Sequence, residues 1–334
     1  MTRYTKLPPK TIVYLCFFVI LIVSLSACKI APASVAPATE ESGIKPDIRL
    51  GTIDFSPEWQ PFANEKIQGL FYTTIKIANP KLEIWAIKAD LANPALQVFV
   101  NRGAEGKVLS TKVSSFVETH HLLAGINTVP FDRISAKEGE ARTCVGIVVS
   151  DGIITSLPAP GYDALVFYKN RGEINAGNGQ NFAGLKAEIV SQREITDLSS
   201  IEHAVGGFNI ILESGELPER LLMKNAAPRH PRSAAGLSDN GQTLYLLAID
   251  GRRTGSSGAT EAETGLILKK LGAEYGLNFD GGGSTALALR LDNSRGYCRV
   301  KTINTPIHGG IPGRERAVAA CLGIGAVESK QNNR

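Results

Sequence analysis

Two acidic residues, each closing an apolar run and each followed by glycine, are the sharpest chemical features of this sequence: Asp250-Gly251 and Asp280-Gly281. A carboxylate at a strand end is held stiffly by the sheet, and a glycine beside it lets a ligand approach the backbone closely. Around them stand Arg232, Arg252 and Arg253, whose planar guanidinium forks suit a phosphate. The run Gly281-Gly282-Gly283-Ser284-Thr285 offers successive backbone N–H groups and two hydroxyls, the makings of an anion nest. Glu263 is a third candidate carboxylate. Plainer readings stand beside these. An Asp-Gly pair after a strand is also ordinary turn chemistry, Glu263 also fits a helix cap, and Arg252-Arg253 also fits a solvated loop. The triple glycine lacks the Gly-Lys-Ser/Thr of a nucleotide loop, Ser284 lacks a G-x-S-x-G elbow, and the five histidines show no metal-ligand spacing. A divalent cation beside the acids is chemically compatible, but no ligand spacing demands one and no cofactor is required. The residues alone thus define a polar, anion-friendly cleft with two or three carboxylates.

The elements that must position these groups are mostly strands. Alternation at Phe71, Thr73, Ile75 and Ile77, then Ile84, Ala86 and Ile87, then Leu96, Val98 and Val100 predicts consecutive strands. A short helix is expected after Ser110-Thr111, and a strand over residues 122–127. Asp151-Gly152 and Asn240-Gly241 each predict a tight hairpin, because both dipeptides tolerate positive φ. Residues 204–212 read as one further strand. Thr260-Glu261-Ala262-Glu263 fits a capping box for a helix with Ala262, Leu266 and Leu271 on its apolar face, ended by Gly272. Many strands and few helices, without strict alternation, predict an α+β fold: one domain with mixed or antiparallel sheets.

The chain begins with Arg3, Lys6 and Lys10, followed by an apolar run over residues 12–25 and then Leu25-Ser26-Ala27-Cys28. That run is short for a membrane span and ends in small residues, as a lipoprotein signal peptide does. Residues 1–27 are therefore read as the signal, Cys28 as the lipidated terminus and residues 28–48 as an Ala/Pro/Ser/Thr-rich linker. Residues 49–328 form the domain and 329–334 a disordered tail. Lys29, rather than Asp, after Cys28 favours the outer membrane of a Gram-negative host. The formal charge of +4 falls to +1 once Arg3, Lys6 and Lys10 are removed, so the basic excess belongs to the targeting segment and nucleic acid is not expected as a partner. Cys144 and Cys321 lie in apolar runs and read as buried hydrophobes; a bridge among Cys144, Cys298 and Cys321 is left open.

The ordered run Arg232-Ser233, Gly236, Asp250-Gly251-Arg252, Gly258-Ala259-Thr260, Glu263, Leu271-Gly272-Ala273 and Asn278-Phe279-Asp280-Gly281-Gly282-Gly283-Ser284-Thr285 resembles the phosphodiester glycosidase family. Weaker likenesses lie at Ala124-Gly125-Ile126-Asn127, at Ala204-Val205-Gly206-Gly207 and over residues 314–319. Thr128-Val129-Pro130 departs from the small residues and phenylalanines that commonly follow the family's asparagine, at what the resemblance implies is the sugar-facing wall. The resemblance implies hydrolysis of the glycosidic bond of a sugar phosphodiester, here in an envelope or extracellular glycan. Asp280 and Asp250 are then expected as acid/base or water-positioning carboxylates, with Glu263 third. Arg232, Arg252 and residues 281–285 are expected to hold the phosphate, with Asn127 and Asn278 hydrogen bonding the substrate. The alternative, prompted by the altered segment after Asn127, is a polysaccharide-binding envelope lipoprotein without turnover.

Overall fold

In the computed structural model of the chain, the described residues are 53–62, 68–168, 185–223, 228–292 and 298–327. The expected signal segment, Cys28, the linker and the 329–334 tail lie outside them, as does the side chain of Cys298. Contacts divide the chain into Met1–Gly43 and Ile44–Arg334, and every element below belongs to the second unit. Among the described residues no helix is long and apolar enough to cross a membrane.

Antiparallel sheet dominates. The largest sheet has seven strands in the order Gln60–Pro61, Leu70–Ile77, Leu82–Asp90, Thr243–Ile249, Arg232–Ser238, Tyr275–Asn278 and Asn209–Leu212. A five-stranded sheet runs Ile153–Ser156, Val148–Ser150, Ile201–Gly207, Asp163–Tyr168, Lys186–Ser191. A second runs Cys298–Thr302, Leu287–Asp292, Ala124–Asn127, Cys321–Ala326, Leu96–Val100. The strand Thr243–Ile249 is apolar without alternation because both faces are covered. Leu244, Leu246 and Ala248 enter the central core shared with the five-stranded sheets, where Val98, Ile126, Val148, Leu165 and Leu322 meet them. Tyr245, Leu247 and Ile249 face the opposite layer, formed by Ile267, Leu268 and Leu271 of the helix Glu261–Leu271. Antiparallel strands usually leave one face to water; here a helix occupies it.

Several sequence expectations are met. The helix after Thr111 is Val113–Thr119, and the capping box is present: the Thr260 hydroxyl accepts from Glu263 N–H and the Glu263 carboxylate from Thr260 N–H. Gly272 ends that helix in the left-handed region, at φ 109°. Asp151 and Gly152 both take positive φ between Val148–Ser150 and Ile153–Ser156, as a two-residue hairpin requires.

Two expectations need correction. The Asn240-Gly241 connection is not a two-residue turn, because Ser238 pairs with Thr243 and leaves a four-residue loop in which Asp239, Asn240 and Gly241 all have positive φ. Residues 204–212 are two strands, not one. Ile201–Gly207 belongs to a five-stranded sheet and Asn209–Leu212 edges the seven-stranded one, so the chain changes sheets at Phe208. Gly207 permits this by lying against the Asn278 carbonyl, 2.8 Å from where a Cβ would stand. The helix Glu261–Leu271 buries Leu271 and packs the half-buried Ala262 and Leu266 against the same core, as expected, and it also buries Thr264, Gly265, Ile267 and Leu268. Gly265 meets the Ile211 carbonyl of the strand Asn209–Leu212.

That contact makes a test of packing against propensity. Alanine exceeds glycine as a helix former by about 1 kcal/mol, but a Cβ at Gly265 would run into the Ile211 carbonyl. Gly265→Ala is expected to lower unfolding stability by about 1–3 kcal/mol in denaturant titration; a stabilised variant would contradict the close approach.

Candidate active site

Asp280 sits where Tyr275–Asn278 runs out of the seven-stranded sheet into the glycine turn. Its backbone is held on both sides by the neighbouring five-stranded sheet: its N–H donates to the Thr128 carbonyl (2.8 Å), and its carbonyl accepts from Asn127 Nδ2 (2.6 Å). Asn127 Oδ1 accepts in turn from Ser233 Oγ (2.7 Å) and Ala286 N–H (3.1 Å). The carboxyl of Asp280 is half-buried, and burial pushes it up to about 6, against the pull of the Ser284 hydroxyl, the Arg316 guanidinium and the Gly281 N–H. Arg316 donates from Nη1 to Ser284 Oγ (3.0 Å) and from Nε to His308 Nδ1 (3.2 Å). Arg252, exposed and itself in the left-handed region at φ 58°, donates from Nη2 to His230 Nδ1 (3.2 Å). An acid that titrates about one unit below neutral pH, with the Arg316 guanidinium acting on it and Arg252 at the adjoining turn, is equipped for proton transfer next to an anion.

The glycines of the turn serve these guanidiniums. A Cβ on Gly282 would stand 3.1 Å from Arg252 Nη2, and one on Gly283 would collide with the Arg316 guanidinium. Gly281 packs on the Pro231 carbonyl, 2.7 Å from its own would-be Cβ. The expected nest of free N–H groups is largely consumed: Gly282 N–H donates to Pro231 O (2.8 Å), Ser284 N–H to Gly281 O (3.1 Å) and Thr285 N–H to Gly282 O (3.4 Å). The groups left facing an anion are guanidiniums, not amides.

The other expected site residues lie deeper. Asp250 is 1% exposed. Its Oδ1 accepts from Asn304 Nδ2 (3.1 Å) and Thr305 N–H (3.0 Å), its Oδ2 from Arg253 Nε (3.0 Å) and Nη2 (2.6 Å). Burial raises this carboxyl too, but its lone pairs are spent and Arg253 is shared with Glu83. Glu263 is buried, with one oxygen on its own helix cap and the other on Arg229. Arg232 Nε donates to Ala259 O (2.9 Å) and its Nη1 lies 3.8 Å from Glu261, so it ties the strand to the helix start. Asn127, Asn278 and Thr285 are buried; Asn278 Oδ1 and Thr285 Oγ1 have no hydrogen-bond partner among the described residues. Thr128, Val129 and Pro130, expected to wall the sugar, are buried beneath Asp280. The structure therefore brings the half-buried Asp280, the exposed Arg252 and the turn 281–284 together, with Gly283 and Ser284 buried on its inner side. Asp250, Glu263, Asn127 and Asn278 are buried, and Arg232 is half-buried.

Sequence reading missed His230, His308 and Arg316 as members of the site. Arg316 falls within the segment 314–319 already noted for its likeness, and His230 stands two residues before Arg232. Among the described residues, the one group of three side chains close enough to share a metal ion is Asp151, Glu202 and His203. There His203 Nδ1 already accepts from Asp151 N–H (3.2 Å), and none of the candidate acids takes part. Cys144 and Cys321 are free, buried thiols, Cys144 pushed up to about 12 chiefly by burial.

Residues 120–325 match the family model described as phosphodiester glycosidase. No curated protein matches the chain. Among solved structures, the catalytic domain of zebrafish N-acetylglucosamine-1-phosphodiester alpha-N-acetylglucosaminidase, auto-inhibited by its pro-peptide, superposes with a TM-score of 0.54 at 18% identity, covering 81% of this chain and 88% of that one. A hypothetical protein from Synechocystis gives 0.49 at 15% identity over 81% of this chain and 64% of that one, so the chain spans under two thirds of its length. A putative exported protein from Burkholderia pseudomallei K96243 gives 0.49 at 16% identity, over 73% and 74%. The likeness to the zebrafish domain shows a shared fold.

The raised carboxyl of Asp280 has a consequence for stability. Its folded value, about 6, lies above its ordinary 3.8, so the native state holds the extra proton between those values and stability falls as pH rises through that window. Asp280→Asn mimics the protonated form. It is expected to raise unfolding stability above pH ~7 by about 1–3 kcal/mol, with the gain vanishing below pH ~4. A variant less stable than the parent at pH ~8 would show that burial does not dominate at Asp280.

Proposed function

The chain belongs to the phosphodiester glycosidase family, and from that premise we propose that it hydrolyses the glycosidic bond of a sugar phosphodiester in an envelope or extracellular glycan, with Asp280 as the proton-accepting group. The observation that carries this reading is Asp280 itself: a carboxyl pushed to about 6, linked through Ser284 to Arg316 and set against the turn that Arg252 also touches. The unit Ile44–Arg334 is read as one α+β domain.

In this reading the phosphodiester monoanion lies along the guanidiniums of Arg252 and Arg316. Water attacks the anomeric carbon, and Asp280 takes its proton. The carbon–oxygen bond to phosphorus breaks with its electron pair passing to the phosphate oxygen, where the two cations offset the growing charge. Phosphate is a good leaving group, so the demand falls on activating water rather than on protonating the departing oxygen. Asp250 acts as a buttress: with Arg253 and Glu83 it fixes the strand end beside the turn. Asn127 and Thr128 fix the Asp280 backbone, and Arg232 and Glu263 fix the helix cap behind it.

Loss of the base is expected to lower kcat by about a hundredfold or more in Asp280→Asn, assayed on a panel of sugar-1-phosphate diesters. Because the base must be unprotonated, the parent's kcat/KM should rise through pH about 6 and level off above it. Full turnover by Asp280→Asn, or a rate that falls through that window, would remove Asp280 as the base. Tight binding of every diester without product would instead identify a glycan-binding protein.

The location is part of the same proposal. Cleavage before Cys28 and lipidation of its thiol would tether the domain to a membrane through the 28–48 linker. Two or more acyl chains, at about 0.8 kcal/mol per buried CH₂, suffice for that. Cys28→Ser is expected to abolish processing and release the protein from the membrane fraction. Normal processing and continued membrane fractionation of that variant would rule the lipoprotein reading out.

A further inference from the structure

Each imidazole at the glycine turn is bound through Nδ1 to a guanidinium, His230 to Arg252 Nη2 and His308 to Arg316 Nε, both at 3.2 Å. Guanidinium nitrogens only donate, so both Nδ1 atoms must present a lone pair, and the one proton of each neutral ring resides on Nε2. The same two guanidiniums lie against consecutive residues of the turn, Arg252 at Gly282 and Arg316 at Gly283. Both rings are half-buried. His230 is faced by Arg232 and Arg252, and His308 by Arg314 and Arg316; burial first, and these cations second, hold both rings below the ordinary imidazole value. Two unrelated segments thus deliver the same arrangement to one loop: a donor-only cation, a neutral ring and an Nε2–H.

We propose that His230 and His308 are a matched pair of neutral Nε2–H donors that orient the phosphodiester group of the substrate, and that Arg252 and Arg316 fix them in that tautomer. This rests on the reading of the site as one that holds a phosphodiester. The physical reason for neutral donors is charge. A phosphodiester carries a single negative charge, which the two guanidiniums already meet. Further cations packed among them would repel one another, whereas neutral N–H groups add directed hydrogen bonds without that repulsion. Arg252 and Arg316 therefore have two tasks, one toward the anion and one toward the rings.

Nitrogen-15 spectra of the full chain, labelled in histidine and assigned with His230→Gln and His308→Gln, test the tautomers directly. Both rings are expected to be neutral with the proton on Nε2 at pH ~7. Arg316→Met should release His308 into a mixture of tautomers while His230 keeps its signals. A protonated ring at that pH, an Nδ1–H tautomer, or His308 signals unmoved in Arg316→Met would overturn the proposal. Dimethyl phosphate, the simplest diester, is expected to shift both Nε2–H resonances, and signals unmoved at saturation would count against it. His308→Phe should weaken dimethyl phosphate binding about three- to tenfold with unchanged thermal melting, and His308→Gln, which keeps an N–H donor, should recover most of the loss. Parental affinity in the Phe variant would refute the role of His308. Shifted resonances in a chain that hydrolyses no diester would keep this inference and end the hydrolase reading, so the two fail separately.

Discussion

The carboxamide of Asn127 is the contact on which the site depends. It sits where the strand Ala124–Asn127 of one sheet meets the ends of Arg232–Ser238 and Tyr275–Asn278 of another. One side chain donates to the Asp280 carbonyl and accepts from Ser233 and Ala286. Asn127, Ser233 and the stretch from Asp280 to Ala286 are three segments brought together only by folding. An unpaired buried amide or hydroxyl costs about 1–3 kcal/mol, so each partner has a strong reason to stay, and the Asp280 peptide between them has little freedom. The Thr128 carbonyl, which takes the Asp280 N–H, completes the clamp.

Two acids that look alike along the chain are given different surroundings by the fold. Both Asp250 and Asp280 end a strand, precede a glycine and are raised by burial. Asp250 meets a guanidinium, a carboxamide and an N–H that fill its lone pairs, and Glu83 shares the guanidinium with it. Removing Arg253 would leave the buried Asp250 carboxylate without its cation. Asp280 has the lighter company of a hydroxyl and an N–H, with Arg316 one step beyond. The fully bonded carboxylate stiffens the strand end, and the lightly bonded one keeps the capacity to exchange a proton.

The glycine turn is likewise a device for packing cations. With the N–H groups of Gly282, Ser284 and Thr285 engaged inside the protein, the turn offers a surface free of side chains, and guanidiniums occupy it. A guanidinium is planar and weakly hydrated, so it can lie flat on peptide atoms while its edges bond elsewhere. Arg252 and Arg316 do this, reaching His230 and His308 with the same groups that rest on the turn.

Local chemistry made much of the architecture legible before folding was considered. The capping box at Thr260 and Glu263, the Gly272 stop, the Asp151-Gly152 hairpin and the alternation over Leu70–Ile77 and Leu96–Val100 each depend on residues within a few positions of one another. So does the ordered signature from Arg232 to Thr285, which named the family. Distant partners decided the rest. Gly207 and Gly265 lie against the carbonyls of Asn278 and Ile211, distant in sequence; the first contact accompanies a change of sheet, and the second a close approach of helix to strand. Residue type alone marked Asn127 as a candidate substrate contact and Asp250 and Glu263 as candidate catalytic carboxylates; their hydrogen bonds to Asp280, Thr305 and Arg229 are not written in spacing. His230 and His308, isolated along the chain, acquired a common setting because two arginines reach the same glycine turn. Sequence determined which chemical groups were present and which local backbone each could adopt. Only the tertiary structure decided which groups remained exposed and lightly bonded, because desolvation and hydrogen-bond satisfaction are properties of the packed neighbourhood and not of the chain.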